Sequence, residues 1–251
     1  MSAIQKIERI EQDFAEQNAP FDDVEFPEER LLREASILVG ETDEPVALSL
    51  EDKATLVSAF ATFDYNRNAN QLVDNLLVLL KKNPKWFDAY KVPAAEKAME
   101  DSFKKIGFRY GQRDAHAWYV NSEILRNKYH GKWTELLLET GLDAERLVER
   151  LRSDDFLVMK GAKVGPMYAR IINDDVAELD NLWQLDIPVD THIRRLSQDL
   201  FNAPDATDDE IRAEWRRLGE DHGVDRHIVD GGLWFIGNQW DNWGEEYWNS
   251  L

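Results

Sequence analysis

Cysteine is absent from this 251-residue chain. That excludes disulfides, thiolate nucleophiles, cysteine-ligated zinc and iron–sulfur clusters together. The five histidines, His116, His130, His192, His222 and His227, show no metal-ligand spacing, so no metal and no cofactor are expected. No apolar run approaches the roughly 20 residues of a membrane-spanning helix. The opening Met1-Ser-Ala-Ile-Gln-Lys reads as the start of an amphipathic helix, not a signal peptide, and the expectation is a cytoplasmic protein without a membrane partner. Gly/Ser-rich linkers and internal repeats are also missing. Basic residues are few: 30 against 49 acidic ones, a net charge of −19. Such a surface resembles that of proteins working at high salt, where like-charge repulsion is screened. Local sign then matters more than total charge. Basic residues gather at Lys104, Lys105, Arg109 and Arg113, at Lys160, Lys163 and Arg170, and at Arg194 and Arg195.

What the chain does have is core material: 43% hydrophobic residues, with nine Trp and eleven Phe. Apolar residues recur with the 3.6-residue helical period, and alternating strand-like runs are nearly absent. The pattern predicts an all-α protein with helices near 4–17, 28–38, 51–62, 69–82, 93–106, 113–129, 132–139, 143–152, 163–174, 190–201, 208–222 and 226–248. Ser49, Pro93 and Thr207-Asp-Asp-Glu210 supply start signals, the last as a capping box. Gly107, Gly131, Gly141 and Gly223 stand where helices should stop. The Glu41–Glu44 and Asn202–Asp205 segments are candidate seams between subdomains.

The most informative stretch is Leu157-Val-Met-Lys160-Gly161-Ala-Lys163-Val-Gly165, followed by Ile187-Pro-Val-Asp190-Thr-His192-Ile-Arg194-Arg. A helical hairpin turning at Gly161 offers unpaired backbone amides to a phosphate, with no need for net positive charge. Gly161 permits positive φ and a close backbone approach. An ordinary glycine-bearing αα-turn fits the hairpin equally well. Lys163 reads as a helix-start lysine, or as a nucleophile if a cationic neighbour such as Lys160 or Arg170 favours its neutral amine. Asp190 reads as an N-cap, a role compatible with stabilising a cation that develops beside it. Asp230 and Trp234, at i and i+4, share one helix face.

Together these residues resemble the helix-hairpin-helix DNA glycosylase superfamily, which includes endonuclease III-like enzymes. The family turn Leu-Pro-Gly-Val-Gly-x-Lys-x-Ala is matched at Leu157, Gly161 (its second Gly), Lys163 and Gly165 (its small last residue), and its Val-Asp-x-His/Arg at Val189, Asp190 and His192. Val158 stands for the family proline and Met159 for its first glycine. A second register sets Val164-Gly165 on the family Val-Gly and puts Met167 at the lysine position. Lys105–Trp118 is similar to the family's Gly-Phe-Tyr-x-x-Lys-Ala helix start. Asp230 and Trp234, with Ala169–Asn173, resemble the archaeal 8-oxoguanine DNA glycosylases, and that register sets Lys163 on the nucleophile.

The resemblance implies a two-lobed helix-hairpin-helix fold without an iron–sulfur cluster, its active-site cleft between lobes. Residues 55–185 would form one lobe, and 1–54 with 186–251 the other. It implies a monomer acting on damaged double-stranded DNA, nucleoid-associated when bound. Lys163 would attack C1′ of the nucleotide and Asp190 would stabilise the sugar cation. Met167, Asp230 and Trp234 would line the base pocket, and Lys160, Gly161, Gly165, His192 and Arg194 would hold the DNA backbone. Base release, most expected for 8-oxoguanine, would be followed by β-elimination. Asn66 and Arg67, in a polar loop, are candidates for filling the gap left by the extruded base. A monofunctional glycosylase, in which Asp190 directs water, and a non-catalytic helix-hairpin-helix DNA-binding protein remain open alternatives.

Overall fold

The computed structural model describes residues 1–40, 45–64, 67–93 and 96–251, and its regular structure is helical, without a β-strand among the described residues. In chain order the helices are α1 (Ala3–Ala15), α2 (Pro27–Gly40), α3 (Leu50–Phe63), α4 (Ala69–Lys82), α5 (Glu96–Ile106), α6 (Gly111–Lys128) and α7 (Trp133–Glu139), then α8 (Ala144–Ser153), α9 (Val164–Asp175), α10 (Thr191–Leu200), α11 (Asp208–His222), α12 (Arg226–Asn238) and α13 (Glu245–Ser250). Short 3₁₀ turns add Pro84–Phe87, Ala89–Lys91 and Leu182–Gln184. Among the described residues no helix is long and apolar enough to cross a membrane.

The chain divides into two units, one of Met1–Val24 with Trp183–Leu251, the other Glu25–Leu182. Residues 25–54, assigned above to the other lobe, group here with 55–182. The expected Asn202–Asp205 seam does not mark the division. Asn202–Asp205 joins α10 to α11 inside one unit, and Glu41–Glu44 lies outside the described residues.

In the 25–182 unit, α3 is the central element. Every side chain from Ala54 to Phe63 is buried, so this helix is apolar or small all round instead of amphipathic. Ser49 and Asp52 close its N-terminus as a reciprocal capping box. Phe63 meets Phe103 and Phe108 edge-on, and Trp118 stacks against Trp133. Each such ring pair contributes about 1 kcal/mol beyond area burial. Glu51, in the first turn of α3, accepts from the backbone amides of Trp133 and Thr134 at 2.9 Å each, so α3 caps α7 from outside.

A charge cluster with a largely buried Arg170–Glu28 pair at its centre joins α2 to α9. Arg170 bonds Glu28 at 2.9 Å and lies over the Phe26 ring, with Asp174, Asp175 and Glu29 nearby. Burial first, then repulsion from Glu28, Glu29 and Asp174, pushes the Asp175 carboxyl up to about 7. An acid that holds its proton more tightly folded than unfolded favours folding while protonated. Its contribution is therefore lost as pH rises from about 4 through about 7. Asp175→Asn should stabilise the protein by about 2 kcal/mol near pH 8, a figure halved for partial exposure, with no gain near pH 4. Urea midpoints at the two pH values test this, and an equal shift at both would refute it.

In the other unit, α1 packs on α12, where a Cβ on Gly232 would lie 2.7 Å from Ile10. Tyr247 donates to buried Asp13 at 2.9 Å, and the Trp248 indole donates to Asp199 at 2.8 Å. Thr207 and Glu210 form the expected capping box of α11. The single helix expected over 226–248 is instead α12, a π-helical turn at Trp240–Gly244, and α13. Gly244 makes the wide turn possible, because any Cβ there would collide with the Ile236 carbonyl.

Candidate active-site residues

The hairpin belongs to the 25–182 unit, with α8 and α9 as its arms. Its turn is held from below by α6. Buried Asn121 accepts from the Leu157 amide through Oδ1 at 2.7 Å, and its Nδ2 donates to the Leu157 carbonyl at 3.2 Å. Phe156 and Met159 are fully buried on either side of that clamp. Asp154, the C-cap of α8, accepts from Lys128 at 2.6 Å and from the Tyr129 hydroxyl. Burial and the Asp154 carboxylate push the Tyr129 phenol up to about 12, so it stays a donor at neutral pH.

The expected glycine conformation falls elsewhere in the turn. Val158 takes φ +69° and Asp155 φ +65°, while Gly161 is not left-handed. Gly161 serves close approach instead: its amide donates to the Val158 carbonyl at 3.1 Å, and a Cβ would sit 3.2 Å from that oxygen. Proline is locked near φ −65° and could not occupy the Val158 conformation. The turn therefore departs in shape from one with proline there. Gly165 lets α9 approach α8, since a Cβ would lie 3.1 Å from the Met159 carbonyl and 3.4 Å from Val148.

Lys163 is the N-cap residue of α9, with its side chain 36% exposed. The amides of Ala162, Lys163 and Val164 carry no hydrogen bond among the described residues. The charge beside the Lys163 ammonium is not the expected cation but a carboxylate, Asp64, at 3.6 Å and only 14% exposed. Lys160 pairs with Asp155, and Arg170 with Glu28, so both expected cationic neighbours are engaged elsewhere. Met167, one turn beyond Lys163, is nearly buried. The Arg67 side chain is only 5% exposed, its Nη2 bonded to both oxygens of Asp114 at 2.8 and 3.0 Å. This position corrects its candidacy as a gap-filling residue, which requires a projecting side chain. Asn66 lies outside the described residues.

Asp190, His192, Arg194, Asp230 and Trp234 belong to the other unit. Pro188 precedes Asp190, which caps α10 through one oxygen. Its Oδ1 accepts from the amides of His192 and Ile193 at 2.8 Å each, and Oδ2 makes no hydrogen bond among the described residues. The carboxylate is thus fixed yet half available. His192 lies against the backbone of Gly237 in α12, where a Cβ would collide with its ring. Arg194 is matched by both oxygens of Asp208 at 2.7 and 3.0 Å, and Arg195 lies over the Trp240 ring at 4.1 Å. On α12, Asp230 is buried, and Trp234 is the one residue from Val229 to Gly237 that is not. Among the described residues no group of three or more metal-ligating side chains could hold an ion.

Asn121 and Asp64 escaped the sequence reading. Each reaches its partner from another helix, and neither carries a spacing signal.

Comparison of the chain with protein-family models gives no match, and comparison with curated proteins gives none.

Proposed function

We propose that this chain is a DNA glycosylase with an associated strand-cleaving lyase activity, acting on an oxidised base in duplex DNA, with 8-oxoguanine the foremost substrate. The observation that carries the reading is local: a reachable lysine amine stands among three unfilled amides at Ala162, Lys163 and Val164. Such amides suit a phosphate oxygen, and the amine then lies within a few atoms of the sugar joined to that phosphate. Asp190, rigid and with one oxygen unengaged, suits the stabilisation of positive charge on the sugar ring. Partly buried Trp234 and buried Asp230, on one helix face, suit stacking on and hydrogen bonding to an extruded base. In this reading the protein acts as a monomer.

The Asp64 pair favours a second reading. An ammonium that stays locked to a carboxylate does not attack, and Asp190 would then direct water in a monofunctional glycosylase. Duplex containing 8-oxoguanine, incubated with the protein and borohydride, separates these readings. The first expects base release and a covalent protein–DNA adduct, with the adduct falling to background in Lys163→Gln. Base release without an adduct would support the second reading, and no release across a panel of lesions would sink both.

A further inference from the structure

Lys163 and Asp64 form a pair that the glycosylase reading alone does not explain. Asp64 ends α3, the most buried helix of its unit, and its backbone amide donates to the Phe60 carbonyl at 2.8 Å. A rigid helix end thus holds this carboxylate 3.6 Å from the Lys163 amine, at a site one-seventh exposed. A surface ion pair between two mobile side chains contributes almost nothing. Here one partner is fixed, so the pair instead defines where the amine sits. Lys160 and Arg170, the other cations of this stretch, are each taken by a different carboxylate. Lys163 is the cation of this stretch that faces Asp64.

We infer that Asp64 is a positioning residue for Lys163 and the acceptor of the proton its ammonium must shed before attack. This rests on the glycosylase–lyase reading above. The atoms balance without any outside reagent. The proton on Nζ passes to an Asp64 oxygen, and the freed lone pair forms a bond to C1′. The C1′–N glycosidic bond breaks, its electron pair leaves with the base, and the base takes the proton back from Asp64. One of the two protons left on nitrogen then moves to O4′ as the C1′–O4′ bond opens, leaving a protonated Schiff base on Lys163 and an ionised Asp64.

This relay has a pH signature. Transfer inside the pair leaves its total proton count unchanged, so the wild-type rate of borohydride-trapped adduct formation should be nearly flat from about pH 6 to about pH 8.5. In Asp64→Asn the amine must lose its proton to solvent, and the rate should climb about tenfold per pH unit over the same range. Asp64→Glu, which keeps a carboxylate, should restore most of the flat profile. A purely structural role would lower the rate by one constant factor at every pH, giving parallel profiles, and that result would overturn the inference. So would a wild-type profile that itself rises tenfold per unit, a reading that depends on no variant folding. If the wild type forms no adduct at any pH, the lyase reading fails and takes this inference with it. Adduct formation with parallel profiles removes the inference alone.

Discussion

Asp190→Asn should lower base release by about 10²- to 10³-fold while the melting temperature stays within about 2 °C of the parent. The contrast follows from how the side chain is used. Only Oδ1 caps α10, and an asparagine carbonyl can accept the same two bonds from His192 and Ile193. Asn and Asp are nearly equivalent as N-caps, so little stability is at stake. What Asn lacks is the charge, and charge is what a developing sugar cation requires. Asp190→Ala removes both contributions: base release falls as far, and about 1 kcal/mol of stability goes with the cap. Parallel thermal melts and single-turnover release assays read the two effects separately. If Asp190→Asn releases base at the parental rate, Asp190 is a cap and nothing more.

The second large effect is expected at Asn121, which is fully buried. Replacing it with Leu keeps the volume but leaves the Leu157 amide and carbonyl without their partner. Each unpaired backbone group at a partly buried site costs roughly 1–3 kcal/mol, so a loss of about 3 kcal/mol is expected. For a chain of this length that lowers the melting temperature by roughly 6–12 °C. Because Leu157 anchors the turn that carries Lys163, adduct formation should fall more steeply than stability alone explains. Measured at a temperature where the variant remains folded, an unchanged trapping rate would show that the turn holds its shape without the clamp.

Helices were legible in the sequence because their signals are local. The ranges 69–82 and 208–222 are those of α4 and α11, the capping box at Thr207 formed as its spacing implies, and Ser49 starts α3 as expected. The π-helical turn was hidden, since the segments on both sides of it read as helix and no local signal marks the wider turn. Val158 was unreadable for a different reason. A β-branched residue avoids positive φ, yet Phe156, Met159 and the Asn121 clamp fix both sides of the turn and leave Val158 to absorb its curvature. Asp64 and Lys163 meet only through the packing of α3 and α9, which no periodicity encodes. The candidate residues were therefore easier to name than their neighbours, and the neighbours decide the chemistry.

The Arg194–Asp208 pair bears on how such an acidic chain could hold DNA at all. A phosphate docking at Arg194 meets a guanidinium already matched by two carboxylate oxygens, so it must exchange with Asp208 instead of filling a vacant site. Added salt weakens that internal pair as well as the contact with DNA, and the two effects oppose each other. If the chain binds duplex as proposed, the Arg194 contact should therefore add less to the salt dependence of that binding than an uncommitted arginine would.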